Sequence, residues 1–328
     1  MNLISVTHRG LYCSRGDFYI DPWSPVDRAL ITHAHSDHAR AGSAHYFTAD
    51  ANSELLRKRL GPDIALDALR YGESMRLNGI DVSFHPAGHI LGSSQIRIQD
   101  DSQTWVVSGD YKRDADPTCA AFEVLPCDTF ISEATFALPI YRWTPARAVA
   151  ADIYRWWQDN RAAGVASVLF CYALGKAQRV LAELRAFTQE AVYVHGAIET
   201  LVDVYRAQSV DMIPTVGVGE CKRGDFRAAL ILAPPGASGS PWMRRFEPCA
   251  TGFCSGWMRV RGRRRGGGYD RGFVLSDHAD WPALLRTVHE TGARRVLLTH
   301  GYADALVHYL REQGCDAAAL KTAYGEEA

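Results

Sequence analysis

Thr32-His33-Ala34-His35-Ser36-Asp37-His38 puts four metal-binding side chains within six residues, directly behind the apolar run Ala29-Leu30-Ile31. The apolar run reads as a buried strand, so the ligands sit on the loop at its C-terminal end. His33 and His35 are two apart and can project from one side of an extended chain. Asp37 and His38 follow on the turn and can face a second point nearby. One short stretch can therefore serve two metal ions a few ångströms apart. Imidazole and carboxylate suit zinc, with manganese or iron as competitors. The plainer alternative is a polar loop that happens to be rich in histidine, but His and Asp seldom cluster in this way beyond a buried strand.

Outward from that loop the same pattern recurs. Ile80–Phe84 alternates as a half-buried strand and leads into His85-Pro86-Ala87-Gly88-His89. Glycines flank His89, which is the expected third imidazole; His85 is still in the strand pattern and is read as structural. Thr104–Val107 is an apolar strand ending in Ser108-Gly109-Asp110, where a carboxylate just past a glycine can approach and bridge two ions. Thr129–Ser132 ends in Glu133, which can be a ligand, a partner for a catalytic histidine, or structural. Arg295–Leu298 ends in Thr299-His300-Gly301. Ligands after successive strands describe a two-metal hydrolase. His33, His35 and His89 form one position and Asp37, His38 and His300 the other, with Asp110 between. Such a pair of ions lowers the pKa of a shared water towards neutrality. The site suits phosphodiesters, strained amides and thioesters equally, so it does not name the substrate.

The bulk numbers narrow the setting. The 328 residues are 47% hydrophobic, enough for substantial cores, and the net charge of −1 gives no global field to attract nucleic acid or membrane. No apolar run approaches the roughly 20 residues needed to span a bilayer. The first ten residues lack a basic segment followed by an apolar one, so no signal peptide is expected. Eight scattered cysteines without a C-x-x-C favour reduced thiols and a cytoplasmic setting.

From about residue 144 the texture changes to a strand–helix–strand rhythm that implies a parallel sheet. It includes the buried strand Ser167–Cys171 and a helix entered through Gly175-Lys176, where backbone N–H groups and the ammonium can bind a phosphate. The alternative is a helix start packed against the sheet. Five arginines follow at Arg259, Arg261, Arg263, Arg264 and Arg265, then three glycines. They can neutralise several phosphates of a strand, or form a solvated loop or one facing an acidic protein surface. Trp242, Trp257 and Tyr269 are more simply core or interface residues than base-stacking ones.

His33-Ala34-His35-Ser36-Asp37-His38, with His89, Asp110 and His300 in order, resembles the metallo-β-lactamase superfamily. Glu133 in Ser-Glu-Ala-Thr-Phe, His278 in Ser-Asp-His-Ala-Asp and His300 in Leu-Thr-His-Gly resemble the additional motifs of its β-CASP nucleases. Tyr172-Ala173-Leu174-Gly175-Lys176-Ala177-Gln178 is similar to the strand-to-helix turn of that family's inserted domain. The compact insert and arginine run look most like bacterial ligase-associated DNA exonucleases. The resemblance implies an α/β fold, an αββα sandwich interrupted by an α/β insert. The expected division is 1–143 and 251–328 for the hydrolase and 144–250 for the insert. It implies two Zn2+ ions, with Mn2+ as the alternative, and catalytic roles for Asp37, Glu133 and His278, the last as general acid oriented by Glu133. It implies single-stranded nucleic acid as substrate, DNA favoured over RNA, and a functional association with a DNA ligase and helicase, away from membranes. The rivals are an RNA-processing nuclease of the same fold, a small-molecule metallohydrolase, and a non-catalytic nucleic-acid-binding scaffold. The insert and arginine run argue against the small-molecule enzyme, and the complete ligand set against the scaffold.

Overall fold

The computed structural model describes residues 2–260 and 268–322. The chain divides into two compact units, Met1–Arg142 with His278–Ala328, and Trp143–Asp277.

The first unit is a four-layer sandwich. Its first sheet runs in sequence order through Ser5–Thr7, Gly10–Cys13, Phe18–Ile20, Arg28–Leu30, His45–Ala49 and Leu66–Leu69, with every pairing from Phe18–Ile20 onward parallel. Its second has seven strands in the order Asp316–Ala319, Arg295–Thr299, Thr129–Glu133, Thr104–Val107, Ser94–Gln99, Ile80–Pro86, Ser74–Leu77. The first four are mutually parallel and the rest antiparallel. Strand period explains which residues meet. Ile80, Val82 and Phe84 recur at every second position and pack with Ile96, Ile98, Leu30 and Phe47 between the sheets. The central strand Thr129–Glu133 is buried along its whole length, because helices Trp281–Thr291 and Ala303–Glu312 cover the outer face of its sheet. Helix Ser53–Leu60 packs Leu56 on the outer face of the first sheet.

Parallel pairing decides where the loops emerge. The carboxyl ends of Phe18–Ile20 and Arg28–Leu30 share one edge of the first sheet. Those of Thr104–Val107, Thr129–Glu133 and Arg295–Thr299 share one edge of the second. Ile80–Pro86 is two antiparallel steps from Thr104–Val107, so it ends at that edge as well.

The second unit is a six-stranded sheet in which every pairing is parallel, as its rhythm predicted. Its order is Thr215–Gly217, Val192–Val194, Leu230–Ala233, Ala166–Phe170, Cys249–Cys254, Arg271–Phe273. Helices Ala146–Ala162, Lys176–Leu184 and Gly196–Ala207 fill one face with Trp156, Trp157, Leu181, Leu184 and Ile198. The expected boundary at 250/251 is corrected to 277/278. Cys249–Cys254 pairs with Ala166–Phe170, and Arg271–Phe273 pairs with Cys249–Cys254, so the chain beyond the arginine run still belongs to the insert's sheet. Among the described residues no helix is long and apolar enough to cross a membrane.

Candidate metal centre

Four strand-end loops of the first unit converge on one group of donors. Ligand atoms of His33, His35, His89 and Asp110 all lie within 4.8 Å of one another. His35 Nδ1 is 3.1 Å from both His33 Nε2 and His89 Nε2, and Asp110 Oδ2 is 3.6 Å from each of those Nε2 atoms. The other oxygen of the carboxylate, Oδ1, is 3.5 Å from His38 Nε2, which is 3.7 Å from Asp37 Oδ2. The His300 ring stacks on His38 with centroids 5.3 Å apart. Asp110 thus presents one oxygen to each of the two groups of residues expected from the sequence.

The local backbone makes these approaches feasible. Gly109 has φ +55°, and a Cβ there would lie 2.7 Å from Thr32 Cβ, so only glycine lets the Asp110 loop close against the histidine loop. His300 itself adopts φ +60°, an uncommon conformation for a residue with a side chain.

Partners behind the rings set their tautomers. His38 Nδ1 donates to Asp21 Oδ2 at 2.8 Å, which leaves Nε2 facing Asp110 Oδ1. Asp21 also accepts from the Thr32 hydroxyl at 2.6 Å and the Thr32 N–H at 2.8 Å. His300 Nδ1 is 2.9 Å from Thr299 Oγ1. His278 Nδ1 is 2.9 Å from Glu133 Oε2, and Glu133 Oε1 accepts the Tyr111 N–H at 2.6 Å. Asp110, Glu133 and His278 form a second close donor group.

The electrostatics suit a cation. Burial, reinforced by His38, His35 and His89, holds His33 well below the usual imidazole range, in the neutral form that ligates. Burial likewise holds His300 down to about 3. Burial pushes Asp110 up to about 7, against the pull of His38 and His278. Burial disfavours a charged His38, yet Asp110 and Asp21 raise it to about 10. Glu133 resists its burial because His278 holds its carboxylate below the ordinary range. Neutral His33 and His300 and a desolvated Asp110 carboxylate belong to a donor set that a divalent ion fits.

Not every expected residue comes here. His85 lies between Ser83 Oγ at 3.0 Å and Glu123 Oε2 at 3.1 Å, as a structural histidine would. Lys176 is corrected from phosphate ligand to buried ion-pair partner. It is 3% exposed with Nζ 2.6 Å from Asp277 Oδ2, so its charge is engaged inside its own unit. Gly175, at φ +87°, donates its N–H to Gln178 Oε1 rather than leaving it for an anion. Arg259 is exposed. Arg261, Arg263, Arg264 and Arg265 lie outside the described residues. Tyr269 stacks on Phe253, and Trp242 packs on Phe246, each in contact with protein. Sequence reasoning missed Asp21, whose signal is an acid at the end of the short apolar strand Phe18–Ile20.

No family model matches the chain. It is 32% identical over 317 residues to a probable DNA ligase of Opitutus terrae, a match that covers 95% of this chain and 30% of that protein. It is 23% identical over 209 residues to an RNase J-like protein of Methanocaldococcus jannaschii, covering 55% of this chain and 50% of that one. A ribonuclease of Thermus thermophilus is 27% identical over 213 residues, covering 55% and 45%. The chain thus spans half or less of the length of these relatives. A protein of unknown function from Enterococcus faecalis shares the fold, with a TM-score of 0.63 at 12% identity over 91% of this chain and 80% of that one.

Proposed function

The chain belongs to the β-CASP family of the metallo-β-lactamase superfamily, and from that premise we propose that it is a two-metal phosphodiesterase trimming single-stranded DNA ends. The observation that carries the chemistry is the carboxylate of Asp110, with Oδ2 facing His33 and His89 and Oδ1 facing His38. His33, His35, His89 and Asp110 would hold one divalent ion, and Asp37, His38, His300 and Asp110 the other. Zinc is the proposed metal, with manganese as the alternative. Bound there, the ions supply Lewis acidity and bring a water's pKa towards neutrality.

The remaining steps belong to side chains. Hydrolysis joins a water oxygen to phosphorus, breaks the bond from phosphorus to the leaving sugar oxygen, and returns a proton to that oxygen. His278 is placed for the last of these. Its Nδ1 proton is held by an ionised Glu133, which stabilises the imidazolium and leaves the Nε2 proton for the leaving group. Asp21 and Thr299 orient His38 and His300.

DNA as substrate is supported by the Opitutus relative, whose polypeptide is named as a ligase and matches nearly the whole of this chain. Association with a DNA ligase is proposed on the same ground. A second reading, cleavage of RNA, is favoured by the names of the other two relatives. Matched single-stranded DNA and RNA oligomers, labelled at each end in turn and incubated with zinc or manganese, test both. Mononucleotide release from one DNA end, lost in Asp110→Ala, is expected. Cleavage confined to RNA would replace the DNA reading, and cleavage that survives in folded Asp110→Ala would refute the site.

A further inference from the structure

Helix Ser53–Leu60 of the first unit ends in a basic turn, Arg57-Lys58-Arg59. Cations there favour the negative end of a helix. Arg57 answers that end, donating from Nη1 to the Pro62 carbonyl just beyond it at 2.9 Å. Arg59 turns elsewhere. Its Nε–H donates to the carbonyl of Ala34, the residue between His33 and His35 on the loop of the metal centre. That bond fixes the guanidinium and leaves the N–H groups of both Nη atoms. Among the described residues none accepts a hydrogen bond from them, and no carboxylate is at ion-pair distance. Asp37 is near enough to favour the charged form of Arg59 without pairing with it. Arg59 is exposed, as are Ser36 and Asp37, so the charge stands on the open side of the loop.

Holding the loop does not account for that charge. A neutral amide donor would serve the Ala34 carbonyl as well. A cation beside positions meant for two divalent ions also works against their loading, because like charges repel. The same cation becomes favourable once an anion lies there with the ions. An arginine held by its Nε keeps Nη1 and Nη2 side by side, a spacing that matches two oxygens of a phosphate. The net charge of −1 supplies no general attraction for a strand, so an unpaired cation at the mouth of the site carries weight.

We propose that Arg59 is a substrate-binding residue, which takes the non-bridging oxygens of a backbone phosphate at the mouth of the metal centre. This rests on the phosphodiesterase reading but not on the choice of DNA over RNA, since both backbones carry the same phosphate. The bond to Ala34 ties the phosphate contact to the loop that carries the proposed ligands.

The test uses the full chain loaded with zinc and single-stranded DNA and RNA oligomers, with kcat and KM measured between about 50 and 200 mM sodium chloride. Three proteins are compared: the parent, Arg59→Gln, which keeps a donor for Ala34 and loses the charge, and Arg59→Lys, which keeps the charge. Arg59→Gln is expected to raise KM about 10-fold at the lowest salt, the scale of one charge-assisted hydrogen bond. Its plot of log kcat/KM against log salt should be shallower by about 0.7, the share of one single-strand phosphate. Arg59→Lys should keep the parent's slope, and zinc content should be the same in all three. An unchanged KM and slope in Arg59→Gln overturns the inference while the parent's cleavage leaves the phosphodiesterase reading standing. So does a loss of activity at unchanged slope with less zinc bound, which would make Arg59 a support of the loop alone. A zinc-loaded parent that cleaves neither oligomer overturns the phosphodiesterase reading, and the inference with it. If Arg59→Gln does not fold, Arg59→Met is read by the same slopes.

Discussion

Replacing Asp21 by Asn asks whether His38 is set by the group behind it. Asp21 is 6% exposed, and three donors face it: His38 Nδ1 at 2.8 Å, the Thr32 hydroxyl at 2.6 Å and the Thr32 N–H at 2.8 Å. A carboxylate accepts from all three; an amide has one accepting oxygen and an NH2 that needs acceptors. With the amide oxygen kept on the Thr32 N–H, the NH2 faces His38. Nδ1 must then accept, and the ring proton moves to Nε2, the nitrogen 3.5 Å from Asp110. With the amide turned over, its NH2 meets the Thr32 N–H donor to donor. Losing such an outer partner lowers metal affinity by about 10- to 100-fold, or about 1.4–2.8 kcal/mol. His38 belongs to only one of the two proposed positions, so only one ion should weaken.

The assay is zinc titration of metal-free protein against a competing chromophoric chelator, which resolves two dissociation constants. Four proteins are needed: the parent, Asp21→Asn, His38→Ala and the double variant, each checked for its thermal transition. Asp21→Asn should raise one constant 10- to 100-fold by the same reasoning. In the His38→Ala background it should add almost nothing, because the effect travels through the ring. Unchanged constants in Asp21→Asn, or a loss that adds in full to that of His38→Ala, would refute the argument.

Gly109→Ala should destabilise the protein by about 1–3 kcal/mol in urea unfolding, because its Cβ would meet Thr32 at 2.7 Å in a left-handed conformation. An unchanged midpoint would mean the two loops part without cost. His85→Ala should leave metal content and cleavage as they are, since that ring is engaged by Ser83 and Glu123; loss of an ion would return it to the centre. Acid should destabilise the metal-free protein. Burial keeps His33 and His300 neutral when folded, so between about pH 4 and 6.5 each gains a proton on unfolding. Asp110, raised to about 7 by burial, loses one over the same range. His38, at about 10, stays charged when folded and opposes this slope only towards about pH 6.5, where the unfolded imidazole begins to lose its proton. The two histidines outnumber the one carboxylate, so stability falls on acidification. Denaturant unfolding of chelated protein at about pH 4.5 and 6.5 reads this slope, and a flat profile contradicts it.

The clustered donors were legible because each follows an apolar strand that stops at a polar residue, and Gly109 advertised the close approach of Asp110. Asp21 was not, because its strand is three residues long and its position at the shared edge appears only with the parallel pairing to Arg28–Leu30. Lys176 misled for a related reason. A lysine after glycine at a helix start has the chemistry of a phosphate site, and its partner Asp277 lies far along the chain. Local sequence cannot show that a charge is already engaged. The insert's boundary was hidden likewise: Arg271–Phe273 joins the sheet through Gly252–Cys254, both beyond the expected boundary at 250/251.

Strand register carries more of the site than any single side chain does. Thr129–Glu133 and Arg295–Thr299 pair in parallel with Glu133 opposite Thr299. Glu133 holds His278, and Thr299 touches and precedes His300. One register therefore aligns the proposed proton donor's partner with the last proposed ligand. A slip of one residue would turn Glu133 to the other face and withdraw His300 from His38 in the same movement. Asp110 extends the coupling, since its Oδ2 is 3.6 Å from His33 and His89 and 3.9 Å from His278 Nδ1. The partner of the proposed acid and one proposed ligand are thus carried by the same pair of strands. Changes that loosen this edge should lower metal affinity and proton delivery together.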